Sequence, residues 1–356
     1  MQLLEFILGI AVVILFHEIG HFVAARLLKI RVDEFGIGLP PRLIGTARDR
    51  TGKRRWFGVK PPEDIDPDET ILSINYIPLG GFVRPRGEND PTIPGGLAAA
   101  NPWARLGVMF AGPLMNILVG IVLGIYLFYS MGEKVPQKVL IQYVTPASPA
   151  AMADLQSGDL FLEVNGQKID GIEMLQKLIA QNLGQQVEIL LQRGEETLRV
   201  SLVPRLNPPD GEGPMGVGLD NPTRPISLWT AMDRGLTATY ENIRGILQLP
   251  VRLLKGQASP EEGRLVGYKG MYDIYQRVRN PLWFFMVISI SLGVVNLLPI
   301  PALDGGRILL TLPEIVIRRR VPTQYENVIH MVGLLALLLL LIYINLQDFI
   351  NPIQLP

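Results

Sequence analysis

Residues 3–28 form a single apolar run, yet three of the side chains inside it, His17, Glu18 and His21, are polar or ionisable. About 20 apolar residues suffice to cross the hydrocarbon of a bilayer. There the chain must be a helix or part of a closed barrel, because nothing else satisfies its own backbone hydrogen bonds. Three more stretches of this character lie at about 106–131, 282–303 and 328–346. The expected fold is a polytopic α-helical membrane protein with about four transmembrane helices. The chain opens MQLLEF, without Lys or Arg. Its first apolar run also outlasts the core of a cleaved signal peptide, so it reads as a retained span.

Composition agrees with a bilayer partner. Of 356 residues, 48% are hydrophobic and 19% charged, and the 33 basic side chains balance the 33 acidic ones. That balance offers no basic patch for nucleic acid, so no nucleic-acid partner is expected. There is no cysteine and there are three histidines, His17, His21 and His330. A transition metal would therefore be held by His, Asp or Glu.

Basic residues near span ends favour the cytoplasm. They follow the first span (Arg26, Lys29, Arg31, Arg42 and others to Arg55) and recur between the third and fourth (Arg307, Arg318, Arg319, Arg320). Both termini, and the segment between the second and third spans, are then expected outside the cytoplasm.

The chain divides on this reading into a first helix at 1–31, a cytoplasmic loop at 32–104, a second helix at 105–131, an inserted domain at 139–205, a linker and amphipathic region at 206–280, and the last two helices within 281–356. In the insert, β-rich runs (LFLEV, QVEILLQ, TLRVSLV) alternate with the turn sequences SGD, NG and RGEE around the helical stretch EMLQKLIAQN. The insert resembles a PDZ domain through its SPA, GD and VNG sequences. PDZ domains add an extended peptide to a sheet edge; a spacer or steric gate is the alternative use. Residues 206–225 are rich in Pro and Gly and read as an irregular linker. Residues 226–255 read as an amphipathic helix, lying on the outer membrane face or packed on the bundle.

His17 and His21 are four apart, so a helix places them on one face with Glu18 beside them. This H-E-x-x-H pattern suits two imidazoles on zinc and a carboxylate base for the attacking water. The short pattern also arises by chance. Ionisable groups deep in a span are costly, however, and point to function. Catalytic zinc takes three protein ligands and keeps one position open. His330, at the start of the fourth apolar segment, is one candidate for the third. Asp304, in NLLPIPALDGGRI, is the better one. Pro299 and Pro301 break the helix before it, and irregular backbone at membrane depth belongs beside a polar cavity.

HEIGH at 17–21, AGPLMN at 111–116, the PDZ-like insert and NLLPIPALDGGR at 296–307 together resemble the site-2 protease family of intramembrane zinc metalloproteases over nearly the whole chain. The resemblance implies Zn2+ held by His17, His21 and Asp304, with Glu18 as the catalytic base and Asn296 as a polar group near the transition state. It also implies that INYIPLGGFV, at 74–83, forms a membrane-associated β-hairpin beside the site. The implied partners are transmembrane protein substrates, such as anti-sigma factors or signal-peptide remnants, and the implied location is the cell inner membrane with the site near its cytoplasmic side. Two other readings use the same residues: a PDZ-bearing scaffold with a degenerate site, and a metal transporter. Glu18 separates them, since a base beside the metal serves hydrolysis.

Overall fold

A computed structural model describes residues 1–259, 262–278 and 280–352 of the chain. The chain forms two compact units, Met1–Leu127 with Met232–Pro356, and Phe128–Ala231.

The first unit begins with helix α1 (Gln2–Leu27), then strands β1 (Val32–Arg48), β2 (Arg54–Phe57) and β3 (Ile71–Pro85), then α2 (Pro102–Met131). The sheet order is β2-β1-β3. Both long strands bend, β1 at Pro40–Pro41 and β3 near Gly80, so each contributes two legs. Phe35 therefore faces both Val83 and Leu72, while Thr46 faces Leu72 and Trp56. The leg ending in Pro85 lies at the edge of the sheet. Buried Glu34 ties the legs together, accepting from Arg42 at 2.9 and 2.7 Å and from Ser73 at 2.8 Å. Burial alone would raise the Glu34 pKa, but the Arg42 and Ser73 hydrogen bonds outweigh it and hold the carboxyl below its usual value. The hairpin expected at 74–83 is thus the tip of a larger sheet.

The second unit holds β4 (Glu133–Lys134), β5 (Val139–Val144), α3 (Pro149–Met152), β6 (Leu160–Val164), β7 (Gln167–Lys168), α4 (Ile172–Gln181), β8 (Val187–Arg193), β9 (Glu196–Leu202), β10 (Val217–Asp220) and β11 (Thr223–Arg224). Its main sheet runs β10-β5-β6-β8-β9, with β7 paired to β6. Val187, Ile189 and Leu191 alternate inward along β8, and Leu175 and Ile179, four apart on α4, close over them to form one core. Buried Asp159 accepts from Arg193 at 2.7 and 2.8 Å and from the Gln156 N–H at 2.9 Å. The expectation of a plain linker at 206–225 is corrected here. Val217–Asp220 adds a strand to β5, Thr223–Arg224 pairs with β4, and Met215 enters the core. Proline and glycine density had masked a short apolar strand.

The chain then returns through α5 (Leu228–Leu254), α6 (Tyr268–Arg277), α7 (Pro281–Leu297), α8 (Asp304–Ile317) and α9 (Thr323–Ile350). Among the described residues, α1, α2 and α9 are long and apolar enough to cross a membrane, and α7 is a shorter apolar helix. The third expected span is also corrected. Helix α7 has 17 residues and ends at Leu297, not Leu303. Pro299 forces Leu298 into extended backbone, with ψ 146°. Asp304 then starts a separate helix. Helices α1 and α2 cross closely because Gly20 lacks a side chain; a Cβ there would sit 2.3 Å from the Ala111 carbonyl oxygen.

Candidate active site

Helix α1 turns His17 and His21 to one side, their rings edge to face with centroids 4.7 Å apart. Both are buried, at 7% and 8% exposure, in a helix most of whose outward residues are apolar. Their Nε2 atoms approach to 3.1 Å. Asp304, at the first turn of α8, brings Oδ2 to 3.2 Å from His17 Nε2 and 3.3 Å from His21 Nε2. Among the described residues, these three form the one cluster of His, Asp and Glu side chains whose ligand atoms lie within 4.8 Å of one another.

The surroundings decide which atoms carry lone pairs. His21 Nδ1 donates to the Val108 carbonyl oxygen at 2.7 Å, which leaves Nε2 of the neutral ring as an acceptor. Asn116, fully buried on α2, places its side-chain amide 3.2 Å from His17 Nδ1. Its Oδ1 meets no partner among the described residues. Amide oxygen and nitrogen are interchangeable by a flip. With the oxygen toward the ring, Asn116 accepts from His17 Nδ1–H, and the second Nε2 also becomes a lone pair. Two lone pairs and a carboxylate oxygen then face one another, an arrangement that a cation stabilises. Ligands on a tetrahedron about 2.0–2.1 Å from zinc lie about 3.3–3.4 Å apart. The three separations of 3.1, 3.2 and 3.3 Å fit that edge.

Glu18 lines the same cavity as the cluster and also reaches the sheet. Its Oε2 accepts from the Val83 N–H, on the edge leg of β3, at 3.1 Å. Glycines at the bend allow this close approach, since a Cβ on Gly81 would lie 2.9 Å from Leu15. A cavity of about 490 Å³ opens here, lined by His17, Glu18, His21, Asp304, Phe82, Val83 and Asn296 among others. Five of the six residues singled out from sequence therefore meet at one cavity. His330 does not join them. Its Nδ1 accepts from the Ala302 N–H at 2.9 Å instead. Sequence reading gave no role to Asn116, to the Val108 carbonyl or to Gly112. The AGPLMN motif contained two of these, but their task depends on how α2 packs on α1.

The model of peptidase family M50 matches residues 5–340. A relative from Clostridium perfringens, named as a zinc metalloprotease, is 31% identical over 362 residues, covering 99% of this chain and 100% of its own. The zinc metalloprotease RasP of Oceanobacillus iheyensis is 29% identical over 300 residues, covering 80% of this chain and 69% of its own. Among solved structures, the PDZ domain of an SdrC-like protein from Listeria monocytogenes is 23% identical at a TM-score of 0.21, covering 23% of this chain and 87% of its own. With its His–Glu–His helix and a family match over most of its length, the chain belongs to peptidase family M50 and is a zinc metalloprotease.

Proposed function

We propose that this chain hydrolyses peptide bonds of membrane-spanning proteins within or near the bilayer, with His17, His21 and Asp304 holding the zinc and Glu18 as general base. The observation that carries this reading is the convergence of three ligand atoms beside Glu18 in a cavity reached by the edge leg of a sheet. Zinc, when bound, acidifies water and polarises a carbonyl.

The chain's own residues supply the rest. Glu18 takes the proton of the attacking water and passes it to the leaving amine. The Val83 N–H fixes one of its oxygens, which aims the carboxylate and leaves the other for the proton. The Asn296 amide, at the cavity wall, donates to the substrate backbone or to the developing oxyanion. A helical substrate hides its peptide bonds in its own hydrogen bonds. The edge leg Gly81–Pro85 offers backbone groups that hold it extended instead.

The basic loops support a site near the cytoplasmic face of a cell membrane, with the inserted PDZ-like domain on the outer side. That domain controls which substrates reach the site, either by binding peptide or by obstructing entry. Substrates of the anti-sigma-factor or signal-peptide-remnant kind fit a site of this depth, in regulated intramembrane proteolysis.

The test is Glu18→Gln. Glutamine keeps the hydrogen bond to Val83 but takes no proton. Cleavage of a single-span reporter in liposomes should fall about 10²- to 10⁴-fold, with zinc retained. Full cleavage by the zinc-loaded variant would refute the assignment.

A further inference from the structure

His330 is the one histidine outside the zinc cluster, and it lies against the segment that presents Asp304. The segment 298–303 joins α7 to α8. Ala302 within it has φ +74°, a left-handed conformation that is strained for a residue with a side chain. Such a residue persists only where its surroundings hold it. The Ala302 N–H donates to His330 Nδ1 at 2.9 Å, from α9. One turn further along α9, Gly333 lets the helix lie flush on the same turn; a Cβ there would stand 2.4 Å from Pro301 Cβ and 2.9 Å from the Pro301 carbonyl oxygen. Asp304 follows Ala302 by two residues, and its Oδ2 lies 3.2 and 3.3 Å from the two histidines.

We infer that His330 is a positioning residue for the metal centre: by accepting from Ala302 it fixes the strained turn that delivers Asp304 to His17 and His21. The inference rests on Asp304 being a zinc ligand. It needs neutral His330 with the proton on Nε2, an atom that is buried and meets no partner among the described residues. The ring thus acts through the backbone, with no reach to the metal. Losing a ligand and losing this residue then differ in kind. The first removes zinc, whereas the second leaves one site per chain and weakens it. Outer-shell partners of metal ligands are worth about 10- to 100-fold in affinity.

The geometry also distinguishes two near-isosteric replacements. Asn places its Oδ1 where His places Nδ1, so it can accept from Ala302. Gln carries its oxygen one bond further, at the level of Nε2. The test measures Zn2+ affinity of the full-length protein in detergent, by competition with a chelator, beside its thermal unfolding. His330→Leu should bind one zinc about 10- to 100-fold more weakly. His330→Asn should return to within a few-fold of the parent, and His330→Gln should stay weak. If His330→Leu does not fold, the Asn and Gln pair carries the test alone. Parental affinity in His330→Leu, or Asn no better than Gln, overturns the inference. Asp304→Ala separates this from the ligand assignment. If Asp304→Ala loses zinc while His330→Leu keeps parental affinity, only the positioning role fails. If Asp304→Ala itself keeps parental affinity, the ligand assignment fails.

Discussion

Adding a single methyl group at Gly112 should damage the zinc site from the outside. A Cβ built there lies 2.3 Å from His21 Nε2, 2.6 Å from Cε1 and 2.8 Å from Cδ2. Reaching even 3.0 Å from Nε2 requires a shift of 0.7 Å, and ordinary contact beyond 3.4 Å requires 1.1 Å. The ring has little freedom to yield. Nδ1 is tied to the Val108 carbonyl at 2.7 Å, and His17 stands against the ring at a centroid distance of 4.7 Å. Parting the helices would open the close contact of Gly20 with Ala111 of α2. Zinc ligand distances tolerate about 0.2 Å. The forced shift is several times that. Gly112→Ala should therefore weaken zinc binding at least about 100-fold, or about 2.7 kcal/mol. A misplacement near 1 Å should also lower kcat/KM by about 10²-fold. Gly107→Ala, on the same helix, is the control, since its new Cβ meets only the end of the Leu28 side chain at 2.9 Å. Chelator competition on both purified variants, with circular dichroism to confirm folding, gives the answer. Parental zinc affinity in a folded Gly112→Ala protein would refute the packing argument and the assignment of His21 Nε2 as a ligand atom.

Asn116→Leu should lower zinc affinity about 10- to 100-fold, because His17 loses the partner that fixes its tautomer; unchanged affinity in a chelator titration would remove Asn116 from the site. Replacing residues 133–224 with a short flexible linker should leave zinc content unchanged while altering which reporters are cut. Cutting only 139–205 should fold less well, because β10 then loses β5; equal yields of the two deletions would contradict the extended domain boundary. Arg193→Ala should destabilise the second unit by about 1–3 kcal/mol, since it strands the buried Asp159 carboxylate. Burial raises the Asp159 pKa, but the Arg193 hydrogen bonds outweigh it and leave it below the usual value. Its stabilising contribution is thus complete above about pH 4 and is lost as the pH falls through the depressed folded value. Hydrogen exchange at Val187–Leu191, corrected for intrinsic rates, should show this acid loss in the parent and not in Arg193→Ala.

The parts of this protein that are legible in its sequence are those set by short-range spacing. His17, Glu18 and His21 share a helical turn, so their joint position follows from one number, the helical repeat. The prolines at 299 and 301 announced a break before Asp304. They did not show that the break occupies six residues and that Asp304 opens a new helix. Asn116 was hidden because its role depends on α2 approaching α1 at Gly20, a contact between residues about 90 positions apart. The sheet was half legible for the same reason. INYIPLGGFV looks like a strand pair by itself, yet its order comes from Glu34 reaching Arg42 and Ser73 across three legs. The strand at 217–220 was lost among prolines and glycines because four residues are too few to establish a period.

The donors proposed for zinc lie far apart along the polypeptide, and on this ligand set the metal site can be completed only after a delay during synthesis. His17 and His21 leave the ribosome early, whereas Asp304 follows 283 positions after His21 in a chain of 356. At about 5–20 residues per second, roughly 15–60 s separate the two events. Through that interval a nascent chain already carries its base and both imidazoles in the first helix, yet the third donor does not exist. On this ligand set, a product stalled before Asp304 should be inert, and proteolytic competence should arrive only once Asp304 has been made.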